Sequence, residues 1–348
     1  MTKKGSISFV AYGKAHPNGS MVNPLWTQKP LSSIRAYDSL FVRHWDDYIK
    51  PERNTIFAGS ISKGPKGIYS KAEVWNLLGA FQKNRLESPV GPLGGSSDFD
   101  LSPNGLGVAF VAKDPDINDA IWTSTHVYLV PHSGPGAPVP INAPTSPGNP
   151  PRRGASASPS FSPDSNTLVY LQQLENGYES DKFVGFSFAV PQDFVPSEPV
   201  KVDPGLEGWQ LSPSAITWSR KPGIRLALVE ENGRTKLWAL SKPHSPAALT
   251  GAEQGSVAAV LPLSEDRLLI TSSSFLSPTW YSIVDMTSNT TTAILPPERI
   301  TRELEAFSKE SVGEFWFDGA ETKVRIMKLS LYLCLGVLMG ISGARVDR

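Results

Sequence analysis

Short runs of alternating apolar and polar residues, each ended by a turn, recur along most of this chain of 348 residues. In residues 98–113, two such runs flank the turn Ser102-Pro103-Asn104-Gly105. Pro103 presets φ for a turn, and an Asn-Gly pair tolerates the left-handed backbone that a tight hairpin requires. The pattern therefore predicts two antiparallel strands joined by this turn.

The same pattern returns in residues 158–172. Phe161 leads into Ser162-Pro163-Asp164-Ser165-Asn166, and four apolar residues follow at 168–171. A hairpin this short cannot bury its own apolar side, so a recurring one is typical of a stacked array of sheets.

The spacing of the Ser-Pro pairs indicates the type of array. Ser102 and Ser162 are 60 residues apart, and Ser162 and Ser212 are 50 apart. Both distances fit a four-stranded blade with variable loops, since blade repeats run roughly 40 to 50 residues. We predict an all-β fold, an incomplete β-propeller of four-stranded blades. A β-sandwich with long connections is the structural alternative.

Other strands are expected throughout the chain, and Asn232-Gly233 is the strongest signal for a two-residue type I′ hairpin turn. The further predicted strands are residues 6–12, 56–61, 67–69, 125–130, 183–190, 226–230, 235–240, 257–263, 267–272, 279–284, 291–294 and 314–317. Residues 207–218 are expected to mark a boundary between blades.

Residues 34–48 differ from this strand pattern. Tyr37, Phe41, Trp45 and Tyr48 recur at helix-like spacings of four, four and three. The spacing predicts a short amphipathic segment that packs these rings into a core, with a ligand-binding role as the alternative.

We divide the chain into a partial propeller domain, residues 1–324, and an apolar tail, residues 325–348. Within the first, residues 131–159 are rich in Pro, Gly, Ser and Ala and are expected to form an exposed loop. The tail has 16 uncharged residues at 329–344, fewer than the roughly 18 to 20 that span a bilayer. It is interpreted as sequence foreign to the domain, from a misread exon boundary; a marginal membrane segment and a buried helix are the alternatives.

Composition excludes several classes of partner. Pro (31) and Gly (29) are frequent, which favours many turns, and Lys+Arg and Asp+Glu are 33 each. A formal net charge of zero weighs against nucleic acid and against an anionic membrane surface as the main partner. The single cysteine, Cys334, allows no intramolecular disulfide and cannot complete a zinc site.

The first twenty residues lack the apolar stretch of a signal peptide, so we expect no export signal in the chain as written, and hence a cytoplasmic location. Asn18 and Asn289 each begin an N-glycosylation sequon. Such triplets are common by chance, and these are candidate sites only if the protein is exported.

No catalytic site is predicted from the residues themselves. The Gly-x-Ser-x-Gly motif of serine hydrolases is absent; the nearest match, residues 340–344, ends in Ala344, and Ser96 and Ser97 precede no helix signal. Of the five histidines, only His44, beside Asp46 and Asp47, has a suggestive setting, and a structural role is favoured over an acid–base dyad there. We predict no catalytic, cofactor-binding or metal-binding residue and no cofactor.

Several long strings of the sequence together carry a family resemblance. They are YDSLFVRHWDDY at 37–48, RNTIFAGSI at 53–61, the runs at 98–130 and 157–182, and EFWFDGAETKV at 314–324. In these strings, and over roughly residues 30–324, the chain resembles fungal dipeptidyl-peptidase V, secreted serine peptidases of the prolyl oligopeptidase family related to acylaminoacyl peptidases.

The resemblance implies a propeller that caps an α/β-hydrolase domain and filters access to a Ser-Asp-His triad, with peptides as substrates and a secreted location. A hydrolase domain does not fit in residues 325–348, so no triad residue is carried over. We expect a fragment of a peptidase that releases N-terminal dipeptides, bearing only the gating propeller and itself inactive. A propeller that binds peptides or proteins without catalysis is the alternative, and a membrane-tethered propeller is the third; the oligomeric state is left open.

Overall fold

A computed structural model describes residues 6–25, 32–64, 67–69, 73–134, 136–144, 153–191, 209–241, 245–275, 277–295, 312–318 and 325–331. For the last two ranges the backbone alone is described. The strands are β1 (Ser6–Ala15), β2 (Arg43–His44), β3 (Asp47–Tyr48), β4 (Arg53–Ser62), β5 (Glu73–Asn76), β6 (Phe99–Leu101), β7 (Gly107–Lys113), β8 (Thr125–Pro131), β9 (Val139–Pro140), β10 (Ser156–Phe161), β11 (Thr167–Gln173), β12 (Phe183–Ala189), β13 (Pro213–Trp218), β14 (Ile224–Glu231), β15 (Arg234–Ser241), β16 (Ala247–Ala248), β17 (Ser256–Pro262), β18 (Arg267–Ser274), β19 (Ser277–Asp285), β20 (Thr290–Leu295), β21 (Val312–Asp318) and β22 (Arg325–Leu331). The helices of the described chain are single turns: α1 (Phe81–Asn84) and the 3₁₀ turns Ser96–Asp98 and Ala252–Gln254.

The strands form a series of small antiparallel sheets, each built from strands that follow one another along the chain. Sheet 1 has the order β1-β4-β5, sheet 2 β6-β7-β8-β9, sheet 3 β10-β11-β12, sheet 4 β13-β14-β15-β16 and sheet 5 β17-β18-β19-β20. The pairs β2-β3 and β21-β22 are separate two-stranded ladders. The all-β class and the propeller-like series of sheets are confirmed; sheets 2, 4 and 5 have the four strands predicted for a blade, and sheets 1 and 3 have three among the described residues.

The predicted turns form as their residue types require. Gly105 has φ +72°, and the buried Ser102 hydroxyl accepts hydrogen bonds from the backbone N–H groups of Leu106 (3.2 Å) and Gly107 (2.9 Å). In the β14–β15 hairpin, Asn232 and Gly233 have φ of +55° and +71°, as a type I′ turn requires.

The second strand of an inner sheet is buried on both faces, which explains its unbroken apolar sequence. In β7, Val108, Phe110 and Ala112 pack towards sheet 1, whereas Ala109 and Val111 pack towards sheet 3. The same alternation recurs in β11 between sheets 2 and 4 and in β14 between sheets 3 and 5. Each of these sheets thus packs against two neighbours, a series that differs from the two facing sheets of a sandwich.

The prediction for residues 34–48 is wrong. This segment has no helix; part of it forms the β2–β3 ladder, and Trp45 and Tyr48 are 63 % and 49 % exposed. The helix-like spacing of the rings does not produce a helix, because the chain turns back on itself between the paired strands Arg43–His44 and Asp47–Tyr48. Residues 67–69 also form no strand, and only Tyr69 makes an isolated bridge, to Lys63.

The expectation of an exposed loop at residues 131–159 is corrected at both ends. Val139–Pro140 is the fourth strand of sheet 2, and Ile141 is buried in the core between sheets 2 and 3. Ser156, at the start of β10, is also buried. Residues 135 and 145–152 lie outside the described part.

The first residues of the predicted tail form a strand that pairs with an earlier one. Arg325–Leu331 forms an antiparallel ladder with Val312–Asp318, in which Phe315 faces Lys328. Residues 332–348 lie outside the described residues, so the domain boundary at 324 and the origin of the tail stay predictions.

Candidate functional site

The residues singled out from the sequence occupy separate places. Ser102 is held within its turn, where its Oγ donates to Asn104 Oδ1 at 2.7 Å. Ser96 and Ser97 form a 3₁₀ turn that leads into β6, not the strand–turn–helix arrangement of a hydrolase nucleophile. The Gly340–Ala344 segment lies outside the described residues.

His44 stacks on the ring of Phe41, with centroids 4.1 Å apart. Partial burial, and next the positive charge of Lys113, lower its pKa below the ordinary value. Asp47, its partner in the β2–β3 ladder, is exposed and accepts a hydrogen bond from Lys50 at 3.0 Å. The Asp47 carboxylate therefore pairs with Lys50, and the segment is a surface turn.

A buried acid–histidine pair lies elsewhere, in sheet 2. Nε2 of His126 is 3.0 Å from Oδ2 of Asp114, and their side chains are 3 % and 0 % exposed. The antiparallel register that places Ala112 opposite His126 brings Asp114, just beyond the end of β7, beside the ring. Oδ1 of Asp114 accepts the N–H of Asp116 at 2.9 Å, which fixes the carboxylate within its turn.

This pair lines a cavity of about 250 Å³. Its polar lining comes from Asn84, Asp114, Asp116, His126 and Tyr128. Its apolar lining is Leu86, Pro115, Pro138, Pro140, Ala143 and Pro144. The cavity therefore lies where sheet 2 meets the segment that follows sheet 1.

Two acidic side chains, Asp114 and Asp116, line the cavity beside the Tyr128 phenol. Burial raises the pKa of the Tyr128 phenol, and the nearby charges of Asp114 and Asp116 raise it further. The phenol is therefore a neutral hydroxyl at any physiological pH. Nδ1 of His126 is buried and makes no hydrogen bond within the described structure.

Sequence reasoning missed this site for a physical reason. Asp114 and His126 are twelve residues apart, and neither lies in a recognisable motif. Only the register of β7 and β8 joins them, and the Pro-rich wall of the cavity comes from a segment that was read as an exposed loop.

The remaining histidines in the described ranges serve other contacts. His132 is buried, and its Nε2 lies 3.3 Å from the carbonyl oxygen of Phe9, which links sheets 1 and 2. His16 lies on the surface, 3.8 Å from Glu52. His244 is outside the described residues.

The described part of the chain holds neither a candidate metal cluster nor a candidate membrane-spanning helix. It brings no three His, Cys, Asp or Glu side chains together as a metal-binding group. It also contains no helix that is long and apolar enough to cross a membrane. Asn18 and Asn289 are both exposed, and their glycosylation stays a prediction.

Comparison with known proteins places this geometry in a family context. The chain matches no protein-family profile. It is 35 % identical over 331 residues, 93 % of its length, to dipeptidyl-peptidase 5 of Aspergillus fumigatus. The chain is a homologue of dipeptidyl-peptidase 5. A probable dipeptidyl-peptidase 5 of Emericella nidulans is likewise 35 % identical, over 335 residues.

The dipeptidyl-peptidase 5 proteins are longer than this chain, which spans 44 % of their length. The resemblance to the dipeptidyl-peptidase V family, noted from the strings at 37–48 and 98–130, is thus confirmed over nearly the whole chain. Both Asp114 and His126 lie inside the string at 98–130.

The fold agrees with a solved structure of a peptidase. The acylaminoacyl peptidase of Pyrococcus horikoshii superposes with a TM-score of 0.56 over 92 % of this chain and 40 % of that one. At 8 % sequence identity this likeness shows the fold alone. It supports the same architecture for the homologue of dipeptidyl-peptidase 5 described here.

Proposed function

We propose that this chain is the propeller portion of a dipeptidyl-peptidase 5-like serine peptidase, and that it controls which peptides reach a catalytic centre. The observation that carries the proposal is the 35 % identity to dipeptidyl-peptidase 5 across 93 % of the chain. The series of small sheets and the fold shared with an acylaminoacyl peptidase support it.

On this proposal the 348 residues position and admit substrate but do not cleave it. Acyl transfer by a serine peptidase needs a nucleophile, a base and donors for the oxyanion. The sequence has no Gly-x-Ser-x-Gly motif, and no serine is among the described residues that line the cavity of the buried pair His126–Asp114. Release of N-terminal dipeptides is therefore assigned to the complete protein and not to these residues.

An activity assay of the purified chain tests the proposal. We expect no release of p-nitroaniline from dipeptidyl-p-nitroanilides above the enzyme-free rate, and no labelling of the chain by a fluorophosphonate. Fusion of the hydrolase portion of a fungal dipeptidyl-peptidase 5 to this chain is expected to restore hydrolysis. Labelling of a serine in the 348 residues would contradict the proposal.

A propeller that binds peptides or proteins is the second candidate, because several large aromatic side chains are exposed. Trp45 is 63 % exposed, Tyr178 53 % and Trp122 45 %. Aromatic side chains that combine an apolar body with a hydrogen-bonding group are enriched where proteins bind partners. Saturable binding of peptides to the isolated chain, lost in Trp45→Ala with Trp122→Ala, would favour this candidate.

We also propose an extracellular location, in keeping with the fungal dipeptidyl-peptidase V resemblance. The exposed Asn18 and Asn289 are then accessible acceptors for N-linked glycans. Secretion from a fungal host and a mass shift removed by an endoglycosidase would support this, and an unshifted secreted protein would count against glycosylation.

A further inference from the structure

We propose that the loop of the β14–β15 hairpin, Asn232–Gly233, is a site of spontaneous deamidation, at which the asparagine amide is converted to aspartate and isoaspartate. The proposal rests on hydrogen bonding within the chain and does not depend on peptidase activity. The chain contains four pairs of asparagine followed by glycine, which begin at Asn18, Asn104, Asn176 and Asn232. Their hydrogen bonds set the last pair apart from the other three.

The reaction needs two groups that are not held elsewhere. Hydroxide removes the backbone N–H proton of the glycine, and that nitrogen attacks Cγ of the asparagine side chain. A new N–C bond closes a cyclic imide, the bond from Cγ to the amide nitrogen breaks, and this nitrogen takes a proton from water and leaves as ammonia. Water then opens the imide, at Cγ to give aspartate or at the main-chain carbonyl carbon to give isoaspartate. Glycine favours the attack because it has no Cβ beside the nitrogen.

In the first pair both groups are occupied. Oδ1 of Asn18 accepts hydrogen bonds from the N–H and the O–H of Ser20, at 3.0 and 2.7 Å. The N–H of Gly19 donates to the carbonyl oxygen of His16 at 2.8 Å. Attack at Asn18 therefore requires the Gly19 bond to break and the fixed side chain to turn, which lowers the fraction of molecules that can react.

The second pair lies in the Ser102 turn and is held by it. Oδ1 of Asn104 accepts the N–H of Leu106 at 3.0 Å and the O–H of Ser102 at 2.7 Å. The N–H of Gly105 donates to the carbonyl oxygen of Ser102 at 2.7 Å. The hydrogen bonds that stabilise this turn therefore also protect its asparagine.

The third pair connects two loops. Oδ1 of Asn176 accepts the N–H groups of Thr123 and Ser124, at 3.1 and 3.0 Å. The N–H of Gly177 donates to Oγ1 of Thr123 at 2.9 Å. These bonds join the β11–β12 loop to the residues that precede β8, so a neighbouring sheet fixes both reacting groups.

At Asn232–Gly233 both groups are available. The paired residues of the hairpin end at Glu231 and Arg234, so the N–H of Gly233 lies outside the ladder. Among the described residues, neither this N–H nor the side-chain amide of Asn232 makes a hydrogen bond. Both residues are exposed, so hydroxide and water reach them directly. Gly233 also adapts to the imide ring, since glycine accepts backbone conformations closed to other residues.

The products alter this end of the hairpin. A carboxylate replaces a neutral amide beside Glu231, which pairs with Lys236 at 2.7 Å, and the formal net charge of zero becomes one unit more negative. Isoaspartate also adds a methylene group to the backbone of the loop. The pairing of Glu231 with Arg234 is then strained, because a type I′ turn fits two ordinary α-linked residues. We expect faster amide exchange at this end of sheet 4 in the modified chain.

Incubation of the complete, folded 348-residue chain at mildly alkaline pH tests the proposal. Digestion with pepsin at acidic pH, followed by mass spectrometry, measures the conversion at each asparagine. We expect Asn232 to react at least about fivefold faster than each of the other three, since a typical hydrogen bond corresponds to about this factor. Labelling by a protein isoaspartyl methyltransferase is expected in the same peptide.

The same chain unfolded in urea is the control for the fold. There the protecting hydrogen bonds are lost, and the four asparagines are expected to react at comparable rates because each is followed by glycine. Folding should therefore slow Asn18, Asn104 and Asn176 far more than Asn232.

Two variants assign the rapid phase of ammonia release to one residue. Asn232→Gly removes the reactive amide and leaves a Gly-Gly loop, which a type I′ turn accepts, so the rapid phase and the isoaspartyl labelling should disappear. Asn18→Gly is the matched control; it removes an amide that is already held by Ser20, and the rapid phase should be unchanged.

Three outcomes would overturn the proposal. In the folded chain, reaction of any other Asn-Gly pair at the rate of Asn232 or faster would show that free reacting groups do not select the site. A rapid phase that survives in Asn232→Gly would place the reaction elsewhere. The same preference for Asn232 in urea would show that neighbouring residues, and not the fold, determine it.

Discussion

At the scale of single residues, one serine hydroxyl organises each of the recurring turns. Ser102 Oγ receives two backbone N–H groups and donates to Asn104, and Ser162 Oγ receives the N–H of Thr167 and donates to Asp164. Both serines are buried, and the bond from the Gly107 N–H to Ser102 Oγ is itself buried, so this N–H has no access to bulk water as an alternative. The Ser-Pro-Asx sequence thus encodes a hydrogen-bonded turn and no chemistry.

Replacing Ser102 by Ala is the residue-scale prediction. The change leaves the buried N–H of Gly107 without the hydroxyl it donates to at 2.9 Å, and we expect a loss of about 1–3 kcal/mol of unfolding free energy. Urea denaturation monitored by tryptophan fluorescence measures it. Ser97→Ala, at an exposed position of the preceding 3₁₀ turn, is the control and should change stability by no more than about 0.5 kcal/mol. Equal losses in both variants would show that the hydroxyl of Ser102 has no special role.

At the scale of elements, polar bonds supplement the apolar contacts between neighbouring sheets. Oδ2 of Asp100, in β6, accepts the N–H of Phe161, in β10, at 2.8 Å. The N–H of Asn104 donates to Ser165 Oγ at 3.0 Å and joins the two serine turns directly. These bonds fix how sheet 2 is set against sheet 3.

The buried carboxyl of Asp100 makes the stability of the contact between sheets 2 and 3 depend on pH. Burial raises its pKa above the ordinary 3.8, although hydrogen bonds from Phe161 and Leu101 oppose the shift. A folded state with the higher pKa binds more protons than the unfolded state, so the carboxyl contributes most stability at low pH and loses it as pH rises from about 3.8 through the raised value. Asp100→Asn keeps a carbonyl acceptor for Phe161 and should flatten the profile in this window, as measured by urea denaturation at a series of pH values.

The corresponding acid of the second turn provides an opposite control. Hydrogen bonds, first from Ser162 and then from Asn166, hold the pKa of Asp164 below its ordinary value. Its contribution is present above the unfolded value and is lost as pH falls, so Asp164→Asn should alter the profile on the acid side instead. A change of the same sign in both variants would contradict the assignment.

At the scale of the whole molecule, the described sheets form a linear series in which each interface has its own apolar cluster. Ile216 lies at the interface of sheets 3 and 4, packed with Val169, Leu171 and their neighbours. Because sheet 3 uses the alternate residues of the same strand against sheet 2, a loss of packing on one face bears on the other. Stability in such an array depends on neighbouring contacts.

Ile216→Ala is the prediction at this scale. A cavity at this fully buried position is expected to cost about 2–5 kcal/mol and to raise amide exchange in both sheet 3 and sheet 4. Hydrogen exchange followed by mass spectrometry resolves the two sheets. Ile294→Ala, 59 % exposed, is the control and should leave exchange in both unchanged. Faster exchange in sheet 4 alone would show that the sheets unfold independently.

How much could be foreseen from sequence depended on how local each signal was. The turns at Ser102, Ser162 and Asn232 were predicted correctly because proline, Asx side chains and glycine act within four residues. The aromatic spacing at 37–48 misled because a helical period alone does not supply a helix, and neighbouring residues instead pair as β2 and β3.

The candidate site could not be foreseen, because nothing local marks it. Asp114 directly follows one strand and His126 lies in the next, and their contact exists only in the paired register. Part of the apolar wall is Pro140, which lies in the fourth strand of sheet 2. A proline in a Pro- and Gly-rich stretch predicts a loop and not a strand, so this wall was not foreseen.

The succession of sheets also bears on how the chain is made. Apart from β1 with β4, every described ladder joins strands that are adjacent along the chain. A ribosome-bound chain can therefore complete each sheet soon after its last strand emerges, without waiting for distant partners, and the loop closures are short. Each finished sheet then presents an apolar face as the template on which the next one settles, so synthesis and assembly can proceed in the same direction.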